Sequence, residues 1–347
     1  MKKYIQRGLP FFVTILLAVL FLRKGIQWHV LQVVLRQAQW NWLLLALFWQ
    51  ASAYGAVTWL NQLLLQRYGA SVPFGKQYVI QLAMAFIEAA VPTASISGAV
   101  LRIRLLKPHH VSADVATVTT LAEMSLVTAS VVLLSLPVIG IFMLNGALSL
   151  GSPSRLLLIF IGIAASIFLL VKQWTTARFV QFREQAFQAF LRFWDNQFCS
   201  RWPEQLGEWT SQRLLKRLQY LGVEFASLLH ERPFAIILSL LARSGFEALG
   251  LMMCFYALGQ YLPIPTILLI YTFTIAINTL GAIPGGIGLA EISLTALYAQ
   301  FGIPAETALA IALTYRLTDY WLPRLVGGIA WLWLERGYSR QLAEVTA

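Results

Sequence analysis

Glu88, Glu123, Arg243, Glu247, Glu291, Arg316, Asp319 and Arg324 are ionisable side chains standing inside stretches that are otherwise apolar. In hydrocarbon each would cost about 3 kcal/mol or more at a helix centre, so such residues face a protein interior, pair with one another, or act on a ligand. Arg243 and Glu247, four apart, can neutralise each other on one helix face, as can Arg316 and Asp319, three apart. Glu291 and Arg316 have a different setting. The first follows a glycine-rich bend and the second lies midway along the next helical stretch, where both can line one cavity.

That bend is "AIPGGIGLAEISL", Ala282 to Leu294. Pro284 interrupts helix, and Gly285, Gly286 and Gly288 let successive backbone N–H groups point the same way. A helix beginning near Leu289 adds its positive end, which makes a site suited to a phosphate-like anion. Arg316 would offset the anion's charge, while Glu291 and Asp319 would bind a cationic or hydroxylated group or carry a proton. Asn278, on the arm entering the bend, is suited to helix–helix hydrogen bonding. The remaining chemistry is sparse. Cys199 and Cys254 lie far apart, His29 and His230 stand alone, and no cluster has metal-ligand or catalytic spacing, so no metal and no cofactor is expected. "HHVSAD" places His109 and Asp114 at the spacing of glycerolipid acyltransferases, where the histidine is a general base. The downstream glycines of that pattern are missing, and Asp114 at a helix start also suits the helix dipole.

Composition sets the depth at which these groups must work. The chain is 58% hydrophobic and 12% charged, about half the roughly 25% charge of a soluble domain. Trp40 to Leu65, Thr120 to Leu144, Arg155 to Lys172 and Pro233 to Gly259 approach or exceed the ~20 residues of a spanning helix. The N-terminal apolar run ends in Arg23 and Lys24 without a cleavage site and is expected to remain as a first span. The expectation is an all-α polytopic membrane bundle. Its net charge of +11 signals cytoplasmic loops and anionic lipid rather than nucleic acid.

The long polar stretch 173–232 repeats apolar residues at helical spacing and is expected as a cytoplasmic amphipathic segment. It separates a first half, 66–172, from a second, 233–336, within one membrane domain. Each half contains a helical hairpin that folds back at a proline, Pro92 in the first and Pro284 in the second. Aligning those prolines brings Ala113, Asp114, Ala116 and Leu121 opposite Ala305, Glu306, Ala308 and Leu313. Alternation of the spans places the copies in opposite orientations, an inverted repeat with re-entrant or broken helices and both termini cytoplasmic. Such repeats point to a transport site near the bilayer midplane. Arg23, Lys24 and Arg36 fall on the outer side of this map, against the charge rule.

"PGGIGLAE" (Pro284 to Glu291), followed by "FGIPAETALAIALTYRLTDYWLPRLVGG" (Phe301 to Gly328), resembles the flippase-like transmembrane region of the lysylphosphatidylglycerol synthase family. The resemblance covers most of the chain, and the C-terminal motif is its specific part. In the first half the counterpart is degenerate: "VPTASISGAVLRIRLL" keeps Pro92, Gly98 and Arg102, while Glu123 is followed by Met124 where the family tends to carry arginine. The soluble aminoacyl-transferring domain has no counterpart here. The resemblance therefore implies a lipid flippase of the bacterial inner membrane rather than an enzyme, with a lipid as substrate and a pathway synthase or glycosyltransferase as a potential partner. Pro92, Arg102 and Glu123 join the second-half residues as its expected binding site. A membrane-embedded lipid-modifying enzyme and a non-transporting accessory subunit are the alternatives. The accessory reading expects an apolar bundle centre in which Glu291 and Arg316 merely pair.

Overall fold

The computed structural model describes residues 38–90, 96–144, 232–280 and 289–346. Every regular element among them is helical. The first span, Arg155 to Lys172, and nearly all of the amphipathic segment 173–232 lie outside the described residues, as do Pro92, Pro284, Gly285, Gly286 and Gly288. Described residues up to Ile141 and from Arg232 onward fall within one compact unit.

Helix α1 runs Trp40–Arg67 and α2 runs Phe74–Ala90. Next, α3 covers Ile96–Leu106, a short 3₁₀ turn covers Lys107–His109, and α4 covers Ala113–Leu144. The second half repeats the series with α5 at Pro233–Ala257, α6 at Ile264–Leu280 and α7 at Leu289–Ala299. It closes with α8 at Ala305–Arg316, a π-helical turn at Leu317–Trp321 and α9 at Leu322–Thr346. Successive helices of 28, 17 and 11 residues in the first half match helices of 25, 17 and 11 in the second.

Local chemistry repeats as well. Gly69 (φ +67°) ends α1 and Gly259 (φ +72°) ends α5, each in the left-handed region that glycine enters without a Cβ penalty. At both ends the same bonds close the last turn: Ala70 N–H to Leu65 C=O, and Gln260 N–H to Phe255 C=O. Pro73 and Pro263 then precede α2 and α6, and their carbonyls accept from Gln77 and Ile267. In the sequence Pro92 follows α2 and Pro284 follows α6, and α3 and α7 are the next described helices.

Helices α1 and α5 are each long and apolar enough to cross a membrane. They lie antiparallel along their length. Gln39 N–H donates to Ala257 C=O at one end, and the Arg232 guanidinium donates to Gln66 Oε1 at the other. Gly250 permits the approach, since a Cβ there would sit 3.2 Å from Gln50 Oε1, and Trp49 stacks on Phe246 with ring centroids 5.3 Å apart. Around this pair Leu251, Phe255, Ile267, Leu294, Tyr298 and Ile311 form the core of the second half. The first half joins through α2 and α9, which cross where Gly327 rests on the Leu82 carbonyl and Trp331 packs on Phe86.

Candidate functional site

Glu291 occupies the first turn of α7 and Arg316 is the last residue of α8. The hairpin arm therefore brings a carboxylate to the guanidinium, Nε to Oε1 at 3.0 Å, with both side chains 4% exposed. Among the pairings the sequence allowed, Arg316 with Asp319 is not the one formed. The π-helical turn explains it. By opening the register after Arg316, the turn sends Asp319 to α1, where Gln50 Nε2 donates to its carboxylate.

The same turn presents Tyr320 as a platform. The guanidinium carbon of Arg316 lies 4.0 Å from its ring centroid and that of Arg324 lies 3.6 Å away, both within cation–π range. Arg324 also donates to the Tyr320 carbonyl at 3.0 Å, yet its Nε–H finds no acceptor among the described residues. A second ion pair stands close by. On α5, Arg243 and Glu247 form the expected pair at 2.7 Å, and Tyr271 of α6 donates to Glu247 at 2.7 Å. The charges of Arg243, Glu247, Arg316 and Arg324 all act on Asp319. The charges of Arg324, Asp319, Glu247 and Glu88 act on Tyr54 of α1. Helices α1, α2, α5 and α9 thus converge with the π turn on one polar centre whose members Tyr54, Glu88, Glu247, Asp319 and Arg324 are only half-buried.

In the first half Arg102 of α3 pairs with Glu123 of α4 and donates to Asn61 Oδ1 at 2.6 Å. Gln81 donates to the other Glu123 oxygen at 2.9 Å. The hairpin's second arm is again tied to the following helix by a buried ion pair, with the charges exchanged relative to Glu291 and Arg316. Of the residues singled out in the sequence, Glu291, Arg316 and Asp319 gather at the polar centre, and Arg102 and Glu123 form the second cluster. Pro92, Pro284, Gly285, Gly286 and Gly288 lie outside the described residues.

Residues that sequence reasoning overlooked complete the arrangement: Gln50, Tyr54, Asn61, Gln81 and Tyr320. Their signal was present, since Gln50, Asn61 and Gln81 are polar residues well inside apolar helices. Which of them meet a charge depended on tertiary register. His109 and Asp114 are not brought together as an acid–base pair. The groups acting on His109 are its partial burial and then the charges of Lys76 and His110, which together hold its pKa below the ordinary value.

The family model described as Lysylphosphatidylglycerol synthase TM region matches residues 9–327. The chain belongs to that family. Other members give the coarser description of a membrane protein. A UPF0104 membrane protein of Pyrococcus horikoshii is 26% identical over 249 residues, 70% of this chain and 72% of its own. One from Methanothermobacter thermautotrophicus is 34% identical over 93 residues, 27% of this chain and 28% of its own. One from Methanocaldococcus jannaschii is 31% identical over 107 residues, 31% of this chain and 32% of its own. For this lysylphosphatidylglycerol synthase TM region protein, membership agrees with the two described helices long and apolar enough to span a bilayer.

Proposed function

We propose that this protein is a lipid flippase, moving a phospho- or glycolipid headgroup across the bacterial inner membrane without changing it chemically. The observation that carries the reading is the half-buried polar centre where α1, α2, α5 and α9 meet the π turn. A headgroup crossing hydrocarbon alone would lose its hydration, at several kcal/mol for each unmet polar group. A protein chamber with fixed charges replaces that hydration while the acyl tails stay in lipid. Arg324, whose guanidinium makes no carboxylate ion pair among the described residues, and Arg316, beside it on Tyr320, would hold the phosphate. The glycines of the second hairpin would add backbone donors to the same anion.

An inverted repeat belongs to this reading. Its support is that α1 and α5, equivalent in the two series of helices, run antiparallel. Alternating exposure of the shared centre to the two leaflets would follow from exchanging the conformations of the two halves.

The non-transporting alternative rests on the Glu291–Arg316 pair, which is formed and buried as that reading expects. It does not account for Arg324 Nε without an acceptor among the described residues or for the other charges gathered around Tyr54. Purified protein in vesicles with tail-labelled lipid separates the two. Arg324→Gln should slow transbilayer movement at least tenfold while melting in detergent stays close to wild type. Movement indistinguishable from protein-free vesicles in the unsubstituted protein would reject the flippase reading in favour of the accessory one.

A further inference from the structure

Among the described residues, the carboxyls inside the bundle are Glu88, Glu123, Glu247, Glu291 and Asp319, and the guanidiniums are Arg102, Arg243, Arg316 and Arg324. Three contact ion pairs remove Glu123 with Arg102, Glu247 with Arg243, and Glu291 with Arg316. Glu88, Asp319 and Arg324 remain. Asp319 accepts a hydrogen bond from the Gln50 amide, and Arg324 donates to the Asp319 and Tyr320 carbonyls. Glu88 is the one of these five carboxyls with neither an ion pair nor a side-chain hydrogen bond among the described residues.

Its position suits a proton that comes and goes. Glu88 lies in the last turn of α2, and its carboxyl presses on the backbone of Gly98 in α3, where any larger residue would overlap it. The charged groups facing it are Arg324 from α9 and Glu123 from α4; its own charge acts on Tyr54 of α1, and α3 offers no charge at Gly98. No guanidinium or ammonium lies within ion-pair distance of it among the described residues. Glu88 and Arg324 therefore feel each other across a gap without touching.

We infer that Glu88 is a proton-binding site coupled to the anion site at Arg324, so that a proton and an anionic headgroup bind together and move in the same direction. This rests on the flippase reading. Ionised Glu88 offsets the field of Arg324 and weakens its hold on a phosphate; protonated Glu88 leaves that field to the ligand. By linkage each raises the other's affinity equally. No bond other than the carboxyl O–H forms or breaks.

The test uses the full chain in vesicles, with tail-labelled phosphatidylglycerol or phosphatidylethanolamine in the outer leaflet. Acidifying the outside should accelerate inward movement in the wild type relative to equal pH on both sides. Glu88→Gln, which cannot exchange a proton, should lose that acceleration entirely. Equal acceleration in both proteins overturns the inference, as does a wild type that moves lipid at a rate indifferent to the gradient; in the latter case the flippase reading stands. If the wild type moves no lipid, the flippase reading fails, and infrared spectroscopy in detergent decides the proton site separately. A protonated-carboxyl band that grows on acidification and is missing in Glu88→Gln supports it, and identical spectra in the two proteins overturn it.

Discussion

Among the described residues, Arg102, Arg243 and Arg316 each meet a carboxylate inside the bundle, and single substitutions are expected to show it. Arg102 is 2% exposed and Glu123 6% exposed. Removing one partner of such a pair strands the other, at about 3–5 kcal/mol. Arg102→Ala should therefore lower the melting temperature sharply in detergent, whereas Arg102→Met with Glu123→Leu should recover much of the loss. Equal losses for the single and double variants would show that the pair is not what holds α3 to α4. At the junction outside the spans, His109 has a folded-state pKa below its ordinary 6.5, first by burial and then by Lys76 and His110. A base with a depressed pKa takes up more protons when unfolded, so its contribution to stability is present above about pH 6.5 and is lost as pH falls toward the folded value. His109→Gln should flatten the decline of melting temperature on mild acidification, and an unchanged slope would assign that decline to other groups.

At the scale of elements, the fold depends on a few close backbone approaches and on one break in helical register. Gly327 lets α9 rest on α2 against the Leu82 carbonyl, and a Cβ there would overlap that oxygen. Because backbone cannot swing aside as a side chain can, Gly327→Ala should destabilise by about 1–3 kcal/mol, the usual range for overpacking. A melting temperature equal to wild type would mean that the helices separate freely at that crossing. The π turn at Leu317–Trp321 has the complementary role. One residue more than an α-helix holds turns Asp319 toward Gln50 of α1, while Arg316 meets Glu291.

For the whole molecule, antiparallel α1 and α5 place the loop after each at opposite ends of the pair. Ser71 and Tyr261 are exposed in those loops. With Cys199 and Cys254 replaced, Ser71→Cys and Tyr261→Cys should react with a membrane-impermeant maleimide from opposite sides of the membrane. Labelling of both from one side would refute the inverted arrangement.

Part of the architecture was legible in composition. Apolar length marked the spans α1 and α5, because such a run acts through its own composition whatever surrounds it. The Arg243–Glu247 pair was legible for the same reason, being set by the spacing of one helix. The partner of Asp319 was not, and Glu291 was legible for Arg316 only as the pairing an accessory role would bring. Sequence spacing also favoured Arg316 and Asp319 for each other, but a register change inside the helix and the approach of α7 and α1 direct them to Glu291 and Gln50. Local geometry follows from local sequence, whereas the choice among several possible partners for a buried charge is made by whichever elements tertiary packing brings within hydrogen-bonding reach.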